Sequence, residues 1–97
     1  IALLKLQDIL YFTSEEGKTI VVTQDKKYVS AEPLSALEAR LGEEGFTRVH
    51  RAYLINLEHL QELEPWSTSK YNVILANNHS VPVSRMYIKD IRKLFEM

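Results

Sequence analysis

The chain has 97 residues, 45% of them hydrophobic and 26% charged, with a net charge of −1 at pH 7. That balance describes one globular domain and excludes a disordered segment, and no apolar run approaches the roughly 20 residues of a membrane helix. Cysteine is absent, which excludes disulfides and thiolate metal sites and is compatible with a reducing cytoplasm.

The charge is unevenly spread. Residues 1–45 hold five Lys and Arg against eight Asp and Glu, whereas residues 46–97 hold seven against five. The C-terminal half is therefore mildly basic, a weak pointer to a polyanionic partner. The first residue is Ile1 and no basic-then-apolar signal opens the chain, so a piece of a longer protein is expected.

In chain order, Leu3-Leu4-Lys5-Leu6 predicts a first strand. Asp8–Ser14, with Ile9, Leu10, Tyr11 and Phe12, predicts a buried one, and Glu15-Glu16-Gly17 a turn. Thr19–Thr23 is rich in β-branched residues that fit a pleated surface. A polar turn at Gln24–Lys27 returns the chain as a strand over Tyr28–Ala31. Pro33 suits a first helical position, Leu34, Leu37 and Leu41 give one apolar helix face, and Gly42 stands where a helix-ending glycine is expected.

Phe46 to His50 then alternates, with Phe46, Arg48 and His50 on one side and Thr47 and Val49 on the other. The apolar run Tyr53-Leu54-Ile55 follows and ends at Asn56. A short turn at Leu57–His59, a strand over Gln61–Pro65, a loop at Ser67–Ser69 and a strand over Tyr71–Ala76 are predicted. Asn77-Asn78-His79 forms a hairpin turn before the strand Ser80–Val83, because asparagine tolerates the left-handed backbone such turns need. Ser84 is expected to cap a last helix running to Met97, with Ile88, Ile91 and Leu94/Phe95 inward and Lys89, Arg92 and Lys93 outward. Those three cations also suit a solvated face that complements the helix dipole.

Catalytic constellations are missing from the pattern. His50, His59 and His79 lack the close spacing of a metal pair, Gly17, Gly42 and Gly45 build no phosphate loop, and no nucleophile elbow occurs. An enzyme, a cofactor site and a metal site are not expected. Arg48, His50, Arg51 and Arg85 instead adjoin short strands where the chain turns. Arginine there can present its planar fork to phosphate or to guanine. It can equally pair with Glu58, Glu62 or Glu64, and from charge and pattern alone both readings stand.

Two stretches carry a resemblance. Phe46-Thr47-Arg48-Val49-His50-Arg51-Ala52-Tyr53-Leu54-Ile55-Asn56 resembles the signature F-x-R-x-H-R/K-S-Y-hydrophobic-hydrophobic-N of the LytTR DNA-binding domain. Val81-Pro82-Val83-Ser84-Arg85-Met86-Tyr87 resembles its second signature, I/V-P-V-S-R-x-Y. Asp8–Phe12 is similar to the family's first strand, and the likeness spans essentially all of residues 1–97. It implies a mostly-β fold of short antiparallel strands in small packed sheets with two short helices. It further implies the sequence-specific DNA-binding domain of a cytoplasmic bacterial response regulator, with a receiver or other sensor domain preceding it. Loops and turns would enter successive major grooves of double-stranded DNA, at sites usually built as tandem direct repeats.

Residue by residue, the resemblance makes Arg85 a base reader and Arg51 a DNA contact. Arg48, His50 and Ser84 become backbone contacts or supports for them, and Lys18 is the best candidate from the Glu15–Lys18 loop. Ala52 stands where the family usually has serine, which puts one phosphate hydrogen bond in doubt. Asn56 reads as structural, tying down the turn after the apolar run. The competing class is a protein-interaction module that pairs exposed β edges with a partner strand.

Overall fold

Five strands form the first sheet of the computed structural model, which describes residues 3–96. Strands β1 (Ile9–Glu15) and β2 (Lys18–Thr23) are joined by Glu16 and Gly17, with φ of 49° and 78°. Two positive-φ residues make a primed turn whose twist matches that of the paired strands. Strand β3 (Lys27–Ser30) follows a turn in which Thr23 Oγ1 accepts the Lys26 amide at 3.1 Å. Helix α1 (Leu34–Leu41) carries the chain over the sheet to β4 (Phe46–His50) and β5 (Tyr53–Asn56). The order is β3-β2-β1-β5-β4, antiparallel throughout. A second antiparallel sheet holds β6 (Leu60–Ser67), β7 (Lys70–Leu75) and β8 (His79–Val83), and helix α2 (Ile88–Lys93) closes the fold.

The first sheet is buried on both faces. One face packs Phe12, Val21, Phe46 and Leu54 against Leu34, Leu37 and Leu41 of α1. The other packs Leu10, Val49 and Ile55 against Val73, Leu75 and Val81 of the second sheet and Ile91 of α2. Side-chain alternation within β5 makes this work: Leu54 points to the helix while Tyr53 and Ile55 point to the second sheet. The expected mostly-β fold of small packed sheets with two short helices is the one observed.

Several local expectations are corrected. Leu3–Leu6 is no strand: residues 3–5 are irregular and Leu6–Asp8 is a 3-10 turn. Its backbone is held from afar, where Asn56 Nδ2 donates to the Leu6 and Ile9 carbonyls at 3.2 and 2.9 Å. Pro33 caps α1 from outside rather than opening it. Gly42 does end α1 as expected, but with right-handed φ/ψ that lead into a 3-10 turn over Gly42–Glu44, and the left-handed glycine is Gly45, at φ 90°.

The final helix is also shorter than expected. A 3-10 turn over Arg85–Tyr87 precedes the six-residue α2, and the Ser84 hydroxyl caps neither. Its expected end at Met97 lies outside the described residues. Of the expected apolar face only Ile91 is fully buried, while Leu94 and Phe95 remain exposed. Asparagine behaves as read: Asn77 and Asn78 take φ of 62° and 60° before β8. No described helix is long and apolar enough to cross a membrane.

Candidate nucleic-acid interface

The β4–β5 connection is a two-residue turn, Arg51-Ala52, held from within by the two side chains before it. Arg48 is mostly buried, with 15% of its side chain exposed. Its Nε donates to the His50 carbonyl at 3.0 Å and its Nη2 to the Arg51 carbonyl at 2.7 Å. Its Nη1 pairs with Glu38 of α1 at 2.6 Å. The guanidinium is thus a strut between helix and turn, and its ion-pair partner is Glu38, not Glu58, Glu62 or Glu64. Glu38 takes the i+4 place in the Leu34-Leu37-Leu41 stripe. A charge inside an apolar series is the sequence signal that would have found it.

A register shift between Arg48 and His50 breaks the alternation expected of β4. The bulge re-aims His50, so it lies opposite Tyr53 with its ring edge-on, 5.4 Å between centroids, instead of sharing the Arg48 side. His50 Nδ1 accepts the Ala52 amide at 3.0 Å, which fixes the neutral ring with its proton on Nε2. Burial, then the cations of Arg51 and Arg48, hold this imidazole below its ordinary pKa of 6.5. Asn56 is structural as read, and more so than expected. Its Oδ1 accepts the Glu58 amide at 3.0 Å while its Nδ2 anchors the N-terminal segment.

Two backbone hydrogen bonds gather the other candidates at this turn. The Ser84 amide donates to the Val49 carbonyl at 2.8 Å, which joins the end of β8 to the end of β4 and brings Arg85 beside His50. The Ser14 amide donates to the Ala52 carbonyl at 3.0 Å, which sets the β1–β2 hairpin against the same turn. Lys18, Arg48 and Arg51 line one shallow depression of about 440 Å³, together with Glu32.

The candidates differ in what they are free to do. Arg51, Arg85 and Lys18 are exposed, and among the described residues none of these three side chains has a hydrogen-bond or ion-pair partner. Arg48 is engaged, and Ser84 contributes its backbone. Glu15 and Glu16 stand exposed beside Lys18 and weaken the positive potential there. Sequence reasoning passed over two exposed side chains near this end, Met86 at 81% and Trp66 at 57% exposure. The signal for Trp66 was a lone tryptophan within a polar stretch.

Comparison with known proteins meets this geometry. The family model of the LytTr DNA-binding domain matches residues 1–96. The chain is 39% identical over 97 residues to the sensory transduction protein LytT of Bacillus cereus, covering 100% of itself and 39% of that relative. It is 38% identical over 92 residues to the transcriptional regulatory protein LytR of Staphylococcus aureus, covering 95% of itself and 37% of that relative. It therefore spans about two fifths of the length of the curated relatives it matches. A solved LytTr DNA-binding domain from Bacillus cereus superimposes with a TM-score of 0.86 at 26% identity, over 97% of this chain and 86% of that one. With both signature stretches converging on one corner of a fold of this type, the chain belongs to the LytTr DNA-binding domain family.

Proposed function

We propose that this chain is the sequence-reading output domain of a longer bacterial transcription regulator that acts in the cytoplasm, with a receiver or other sensor domain preceding it. The support for the longer protein is that its relatives are longer and are named for sensory transduction and transcriptional regulation. The observation that carries the DNA-reading site is the Ser84–Val49 hydrogen bond, because it sets Arg51 and Arg85, both without a side-chain partner among the described residues, on adjoining turns. Arg85 reads a guanine edge in one major groove, and Arg51 and Lys18 hold neighbouring backbone or bases. His50 donates from Nε2 to a phosphate. Arg48 acts mainly by fixing the Arg51 turn. Two protomers on tandem direct repeats would read successive grooves.

The test is selection of duplexes from a random library by the chain, followed by binding across a salt series. Recovered duplexes should share a motif, commonly as a direct repeat. Affinity should fall steeply with salt, by about 0.9 log units per log unit of salt for each neutralised phosphate. No enriched sequence together with a flat salt response would reject this reading and favour strand addition at an exposed sheet edge.

A further inference from the structure

The β6–β7 hairpin ends in Trp66-Ser67-Thr68-Ser69-Lys70, an aromatic, three hydroxyls and a cation with no acid among them. Pro65 pairs with Tyr71 and Ser67 with Lys70, so Trp66 is the extra residue of a β-bulge. Bulges re-aim side chains, and this one leaves the only tryptophan of the chain 57% exposed. Lys70 Nζ stands 5.3 Å from the centre of its ring. A cation over the indole face holds both groups at the tip without burying either.

Register fixes where the tip lies. Tyr71 pairs with Val83, so the β6–β7 turn projects from the end of the second sheet at which the chain leaves for Ser84 and Arg85. Strands β6 and β8 flank β7, which sets Trp66 roughly 10 Å to the side of β8, two strand spacings away. A major groove is about 12 Å wide. An offset of that size carries the tip from the base edges in the groove to the backbone that walls it. We infer that the β6–β7 tip is a further DNA contact, in which Lys70 and the Ser67–Ser69 hydroxyls hold phosphates flanking the base pairs that Arg85 reads, while Trp66 packs on the adjoining sugars. The inference rests on the reading of this end as the one that faces DNA.

Because Trp66 is the single tryptophan, its fluorescence reports on the tip alone. The probe is a duplex recovered by this chain from a random library, with binding followed separately by anisotropy of a labelled strand. Saturation with duplex should change Trp66 emission and reduce its quenching by acrylamide. Trp66→Ala and Lys70→Ala should each weaken specific and scrambled duplexes several-fold and alike, and Lys70→Ala should make the salt slope shallower by about one unit. Arg85→Ala should lose sequence preference yet keep the Trp66 response. Duplex binding with Trp66 emission and acrylamide access unchanged overturns the inference and leaves the DNA reading standing. Protection that grows with protein concentration in the absence of DNA overturns it in favour of a contact between protein copies. A chain that recovers and binds no duplex overturns both.

Discussion

The β4–β5 turn and the β8–α2 junction each raise one exposed arginine, and they hold it by different means. Arg51 sits on a turn fastened by side chains: Arg48 grips its carbonyl and that of His50, and His50 receives the amide of Ala52. Arg85 sits on a 3-10 turn fastened, among the described residues, by backbone hydrogen bonds, through Ser84 to Val49 and Tyr87 to Ser84, with no side-chain cap. The first turn concentrates its rigidity in two replaceable residues. The second spreads it over main-chain bonds that no single side-chain change removes. Replacing Arg48 or His50, which hold the first turn, should therefore disturb folding, whereas replacing Arg85 at the second should disturb recognition.

Arg48→Ala should have the largest effect. It deletes three hydrogen bonds from a charged donor, two of them to carbonyls of the turn. Hydrogen bonds to charged groups contribute about 1.5–3 kcal/mol each, and water replaces part of that at a turn, so a loss of about 2–4 kcal/mol is expected. Urea unfolding measures it. Arg48→Lys should recover little, since an ammonium cannot reproduce the planar fork. An Arg48→Ala domain as stable as the parent, with DNA binding alone reduced, would make Arg48 a phosphate contact instead of a strut.

That distinction shows what could be read in advance. Turns dictated by their own residues were legible: Gly17, Asn77 and Asn78 adopt positive φ values that glycine and asparagine tolerate, and Glu16 is carried into one beside Gly17. So were the helix stripe and both signature stretches, whose residues the fold brings to one corner. Features set by distant partners were not legible. Leu3–Leu6 has strand-like composition, yet the Asn56 amide, 50 residues away from Leu6, takes a carbonyl there. Ser84 looks like a cap, yet it is its amide that does the tethering, to a strand of the other sheet. The bulge at Arg48–His50 and the Glu38 partner likewise depend on packing between elements, so local spacing located the cations and missed the strut.

Arg85→Ala comes next in size and should leave the fold intact, because the side chain is exposed and the junction is held by main chain. A bidentate arginine–guanine contact contributes roughly 1–3 kcal/mol of discrimination. The expected outcome is a specific duplex bound little better than a scrambled one, with an unchanged unfolding curve. Retained sequence preference would move base reading to Arg51, and then to Lys18. Loss of stability would show that the guanidinium supports the junction and erase the contrast between the two turns.

The smallest effect is a pH dependence confined to the side-chain-held turn. His50 accepts the Ala52 amide through Nδ1, so protonation breaks that bond and adds a cation beside Arg51 and Arg48. Burial and those two cations hold its folded pKa below 6.5. Between the folded value and 6.5 the unfolded chain binds more protons than the folded one, so stability falls as pH falls. The contribution is complete above about 6.5, declines below it, and is gone once the pH passes the folded pKa. The chain holds two other histidines, His59 and His79, so the informative quantity is the difference between parent and His50→Gln, alongside the Hε1 resonance of His50 by NMR. The parent should lose more stability than the variant on moving from neutral pH into that window. Duplex binding should raise the His50 pKa, because a phosphate at Nε2 favours the imidazolium. A His50 that titrates at or above 6.5 in the free domain would mean that Nδ1 carries a proton and that the Arg51 turn is held by Arg48 alone.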